Sequence, residues 1–107
     1  MTQTITNFIT AISEDRFIDA HEILEHSWKI LKKEDKREEA LLQKGLINGT
    51  TAIGLHLKGK TQGAQRVWQT FEKYRPLIGT VESELTSLYQ EAEALLDRKH
   101  EEFCPKA

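Results

Sequence analysis

His21, Glu25 and Trp28 stand at i, i+4 and i+7, a spacing that puts all of them on one face if the segment is helical. An imidazole and a carboxylate so placed can share a proton or a divalent metal ion, and the indole adds a flat apolar wall. Glu22 and His26 form a second i, i+4 pair about 100° round the helix from the first. The pattern is not the His-Glu-x-x-His of zinc proteases, where two histidines four apart bind the metal and the glutamate is the base. Here the histidines are five apart and point to different sides of the helix. Catalytic zinc takes three protein ligands plus water, and the segment supplies a pair, His21 and Glu25. A metal-dependent hydrolase using His21, Glu22 and Glu25 is therefore one reading. A surface that binds a small molecule or a protein partner is another, and a polar tie between helices is a third.

The elements that must position these residues follow from the apolar spacing. Ile5, Phe8, Ile9 and Ile12 predict a short amphipathic helix ending near Ser13-Glu14-Asp15. A second helix is expected over 16–33, with Phe17, Ala20, Leu24, Trp28 and Leu31 on one stripe and Asp15 or Asp19 as N-cap. Lys32 and Lys33 suit its C-terminal end. After a charged connector at 33–36 comes the most apolar segment, 37–58, whose apolar residues cover much of the circumference and so predict a central helix. Gly45, Gly49 and Ala52 form a stripe without bulk, which implies close approach of a neighbouring helix or a ligand. Gly59 stops that helix, Thr61 can cap a fourth, and Pro76 ends it after Tyr74. Gly79-Thr80 would then cap a fifth over 81–102, where Val81, Leu85, Leu88, Ala92, Leu95 and Lys99 alternate by 4 and 3. That stripe can pack on the bundle or pair with a second copy as a homodimer. The expected architecture is all-α, a compact bundle of about five helices forming one domain over 1–107, with Trp28, Leu46, Ile53, Trp68 and Phe71 largely buried.

If helices two and three are antiparallel about a turn near 34 and 35, His21 is level with Asn48, and Glu25 with Lys44 and Gly45. Asn48 and Lys44 are then candidate partners of the His/Glu face. His56 lies eight residues beyond Asn48, about 12 Å along the axis, too far to join His21 at one metal. It faces Gly63 instead, across the next turn. His100, among Lys99, Glu101 and Glu102, reads as a solvated side chain.

Composition excludes several classes. The chain has 107 residues, 30% charged and 38% apolar, with 15 basic and 17 acidic side chains interspersed and a net charge of -2. No positive field of the kind that drives phosphate-backbone binding results, so nucleic acid is not expected as a partner. Cys104 cannot pair within the chain, and its acidic neighbours argue against a reactive thiolate. Neither a signal peptide nor an apolar run of membrane-spanning length is present, which makes the cytoplasm the expected location and a membrane an unexpected partner.

The run from Ala20 through His21, Glu22 and Glu25 to Trp28 resembles the domain-of-unknown-function 309 family, as do Lys44-Gly-Leu-Ile-Asn48, then Ala52, His56, Gly59 and Gly63-Ala64. The resemblance spans roughly residues 8–78. It departs at Asn48, where the family pattern has glutamine, and at Lys60, where it has asparagine. The resemblance implies an all-α fold and no established activity. The residues themselves point to a binding face built from His21, Glu22, Glu25, Trp28, Lys44, Asn48 and His56, set against the Gly/Asn face of helix three. The alternatives are the metal-dependent hydrolase and a purely structural homo-oligomer.

Overall fold

The computed structural model describes residues 1–104. The helices are α1 (Thr2–Ser13), α2 (Phe17–Lys33), α3 (Arg37–Leu57), α4 (Thr61–Tyr74) and α5 (Thr86–Phe103), with a 3₁₀ turn at Arg75–Gly79 between the last two. Among the described residues there is no strand. The apolar spacing of α1 buries Ile5, Phe8, Ala11 and Ile12, and α2 follows with Phe17, Ala20, Leu24 and Leu31. As its apolar girth predicts, α3 is the central helix and packs on α2, α4, α5 and the 3₁₀ turn. The radius of gyration, 12.9 Å, is that of a compact chain of this length.

One turn design joins the first four helices. At the end of α1, Asp15 N–H donates to Ile12 O and Arg16 N–H to Ala11 O; at the end of α2, Asp35 donates to Lys32 O and Lys36 to Leu31 O. The end of α3 repeats it, Gly59 to His56 O and Lys60 to Leu55 O. These are paired 6→1 and 5→2 bonds around a left-handed residue, with φ of 62° at Asp15, 59° at Asp35 and 81° at Gly59. The next residue, Arg16, Lys36 or Lys60, is at once the N-cap of the following helix. Its carbonyl accepts from Ala20, Ala40 or Ala64, each of them buried. Asp15 and Thr61 are therefore not the caps expected of them. Asp15 supplies the left-handed turn, and Thr61 is the first helical residue behind Lys60.

The glycine stripe of α3 turns away from α2. A Cβ at Gly45 would stand 2.8 Å from Tyr74 Cβ, and one at Gly49 3.1 Å from the Phe71 ring and 3.2 Å from a Leu96 methyl. The stripe is thus where α4 and α5 close on α3, as packing rather than as a ligand face. The fifth helix starts at Thr86, five residues after its expected start. Val81 N–H still bonds back to Leu77 O, and Ser83 accepts from Leu85 N–H through its hydroxyl and from Thr86 through its carbonyl. Leu46, Ile53 and Phe71 are buried as expected, but both tryptophans are half-buried.

Candidate functional site

The 3-and-4 spacing places residues 18, 21, 25, 28 and 32 along one stripe of α2 and 41, 44, 48, 51 and 55 along one stripe of α3. Their pairing is set by a contact the sequence register misplaces. His21 Nδ1 is 2.8 Å from Thr51 Oγ1, so His21 is level with Thr51 and not with Asn48. The three-residue reversal at 34–36 accounts for one position of this offset against a two-residue connection, and the tilt of the His21 side chain toward the α2 N-terminus, away from the turn, carries its ring farther along α3. Asn48 instead donates to its own helix, Nδ2 to Lys44 O at 2.7 Å. In the same way Lys44 does not reach Glu25, whose second oxygen meets Lys29 Nζ at 3.3 Å.

Both ring nitrogens of His21 are engaged. Thr51 Oγ1 donates its one proton to Ile47 O at 2.9 Å, which leaves it to accept from His21 Nδ1–H. On the other side Nε2 meets Glu25 Oε2 at 2.9 Å, and a carboxylate can only accept. Both ring nitrogens thus have a partner, and the Glu25 carboxylate bridges His21 and Lys29. Hydrogen bonds from Lys29 and His21 hold the Glu25 carboxyl below its usual 4.5. No nitrogen lone pair of His21 is left pointing into open space. Among the described residues no group of three or more His, Cys, Asp or Glu side chains is placed to hold a metal ion. His56 is half-buried and forms no hydrogen bond or ion pair with the His21 pair; five residues past Thr51, it stands about 7.5 Å farther along α3 and on another side of it.

The seam opens into a cleft at either end. One, of about 300 Å³, contains His21 and Glu22 with Phe17, Thr51, Leu55 and Lys58. The other, of about 280 Å³, lies at the closed end of the hairpin and contains Trp28 and Lys44 with Lys32, Arg37 and Asp35. Of the residues picked out by spacing, His21 and Glu22 line the first cleft and Trp28 and Lys44 the second, while Glu25, Asn48 and His56 line neither. Beside the first cleft the seam also exposes Ile18 (63%) and Leu57 (51%).

Two features outside the seam were not legible as chemistry. Tyr89 donates to Glu39 Oε2 at 2.6 Å and accepts from Gln43 Nε2 at 2.9 Å, while Ser83 Oγ also donates to Glu39. Burial, with the Glu39 carboxylate beside it, pushes the Tyr89 phenol well above its ordinary range. His100 is not a free surface side chain: its ring stacks on Trp68 at 3.7 Å and 10°. Burial pushes the Cys104 thiol up, away from a reactive thiolate. No helix among the described residues is long and apolar enough to cross a membrane.

Comparison with curated proteins and with solved structures gives no match. The family model for DUF309, a domain of unknown function, matches residues 5–67, from α1 through the first half of α4 and across the whole seam. With more than half of its length matched, the chain belongs to the DUF309 family.

Proposed function

We propose that this chain is a binding domain whose small-molecule ligand or protein partner is held in the seam between α2 and α3. One observation carries the reading: His21 with Glu22, and Trp28 with Lys44, line two clefts of about 300 and 280 Å³ on the same seam. Pockets of roughly this size, walled by apolar surface with a few polar groups, are the usual form of a ligand site. His21 serves here as a fixed wall, tied at both nitrogens, rather than as a base or an open metal ligand. The hydrolase reading would require it to release one of these contacts and to recruit a third ligand.

The test is an amide NMR spectrum of the whole chain recorded against a panel of neutral, cationic and anionic metabolites, with melting in zinc, manganese and nickel alongside. Saturable shifts gathered on Glu22, Trp28, Thr51 and Leu55 are the expected result. Shifts confined to the α4–α5 side would overturn the proposal. A metal-dependent rise in melting temperature, lost in both His21→Ala and Glu25→Gln, would replace it with the metal reading, since a ligand that binds only the native state must raise the melting point.

A further inference from the structure

The cleft at the closed end of the α2–α3 hairpin gathers more cations than the cleft at the other end of the seam. Lys32, Arg37 and Lys44 line it against a single carboxylate, Asp35, giving a local charge of +2 in a chain whose net charge is -2. Among the described residues none of these cations has a carboxylate within the 4.0 Å of an ion pair. Lys33, Lys58, Lys60, Arg66, Lys73 and Arg98 also lie outside the ion pairs that Arg16, Lys29, Arg75 and Lys99 make, but among the described residues Lys58 is the one lysine or arginine lining the other cleft of the seam, so the gathering of three is what sets this cleft apart. Like charges gathered without counter-charge raise one another's energy, and an anion entering between them relieves it. Two further features favour an anion. The cleft sits at the start of the 21-residue α3, whose N-cap, Lys36, lends no side-chain acceptor to the first-turn N–H groups, and the two carboxylates of that turn, Glu38 and Glu39, do not line the cleft. Its back wall is apolar, formed by buried Ala40, half-buried Leu41 and the Trp28 ring, with Lys32 Nζ 4.5 Å over that ring. A low-dielectric wall behind a charge strengthens what the charge binds.

We propose that this cleft is the anion-recognising end of the seam and takes a small organic polyanion, a short carbon or sugar-sized frame bearing two or more carboxylate or phosphate groups. The inference rests on the binding reading above and names its ligand class. Three separated cations call for more than one negative group, which a monoanion does not supply. The volume of about 280 Å³ fits a small metabolite rather than a dinucleotide or a polymer.

The experiment follows the Trp28 indole N–H and the backbone amides by NMR while citrate, and separately pyrophosphate, is titrated at constant ionic strength. Saturable shifts at Trp28, Ala40 and Lys44 are expected. Affinity should fall about tenfold or more in Arg37→Glu and in Lys44→Glu, as for charge-assisted contacts, and rise in Asp35→Asn, which keeps a residue that tolerates the left-handed turn. All three positions are exposed, and melting curves verify that each variant is folded. A response to citrate alone assigns carboxylates, to pyrophosphate alone phosphates, and to both a site that reads charge. Shifts that sodium chloride reproduces, or that survive Arg37→Glu and Lys44→Glu, overturn the proposal. If both anions fail while neutral or cationic compounds still shift the seam, the anion class falls and the seam reading stands. If nothing shifts the seam, both fall.

Discussion

His21 and Tyr89 each bridge elements far apart in sequence, and their surroundings make the consequences of losing them different. The His21 and Glu25 side chains are 36% and 37% exposed. Water replaces what His21→Ala removes, and the expected cost is below about 1 kcal/mol. Tyr89 is buried, and Tyr89→Phe strips Gln43 Nε2 of its good acceptor, in a side chain whose Oε1 already has no partner. That variant should lose about 1–3 kcal/mol, the cost of a buried polar group left unsatisfied. Chemical denaturation of both checks the order; a larger loss from His21→Ala would make the seam a stability device rather than a site. The pH dependence has a definite sign. Because the folded-state pKa of Glu25 is depressed, its ion-pair contribution is complete above its usual 4.5 and disappears as pH falls through the lower folded value. The melting difference between wild type and Glu25→Gln should therefore be constant near neutrality and shrink toward zero in acid. The His21–Glu25 contact was legible because i, i+4 spacing is local. The Tyr89 cluster was not, since residues 39, 43, 83 and 89 meet only once α3 and α5 are packed.

At the scale of the elements, the repeated turn tests backbone conformation apart from packing. A Cβ at Gly59 would meet nothing within 4 Å, yet φ there is +81°. Gly59→Ala should still cost about 1 kcal/mol, the penalty of a left-handed L-residue. Asp35→Gly, the reverse change at φ +59°, should be neutral or stabilising by less than about 1 kcal/mol, because relief of that strain is offset by the extra freedom of glycine in the unfolded chain. Thermal melts that rise for Gly59→Ala would show that the turn is not held as described. The five-helix order was legible from the 3-and-4 spacing, and Gly59 announced its own turn. Asp15 and Asp35 did not, since aspartate serves equally as an N-cap and in a left-handed turn. The 6→1 bond that decides between them is invisible locally. Yet the sequence holds the pattern three times, as Asp15-Arg16 with Ala20, Asp35-Lys36 with Ala40, and Gly59-Lys60 with Ala64. Missing it misplaced the register by one residue, and the direction of the His21 side chain adds the rest of the offset from Asn48 to Thr51.

For the whole molecule the question is whether α5 belongs to the same cooperative unit as the four hairpin-linked helices. The family match ends at residue 67 and leaves α5 out. Of the stripe Val81, Leu85, Leu88, Ala92, Leu95 and Lys99, the chain itself buries Leu85, Ala92 and Leu95, and with them Tyr89 and Leu96, where α5 packs on α1 and α3. Polar contacts hold its middle and C-terminal half. Arg75 joins Glu93 and Asp97 on one side, and Lys99 Nζ reaches Asp15 at 2.7 Å in the α1–α2 turn. Each fully buried large side chain contributes about 1.5–3 kcal/mol, so Tyr89, Leu95 and Leu96 together rival the 5–15 kcal/mol by which a domain is stable. A fragment of residues 1–80 should therefore lose its cooperative melt by circular dichroism, although it contains all of the matched segment and the whole seam. A fragment that melted cooperatively within a few degrees of the full chain would show α5 to be an appendage. In that case the seam, with both its clefts, would be the property of α1 to α4 alone.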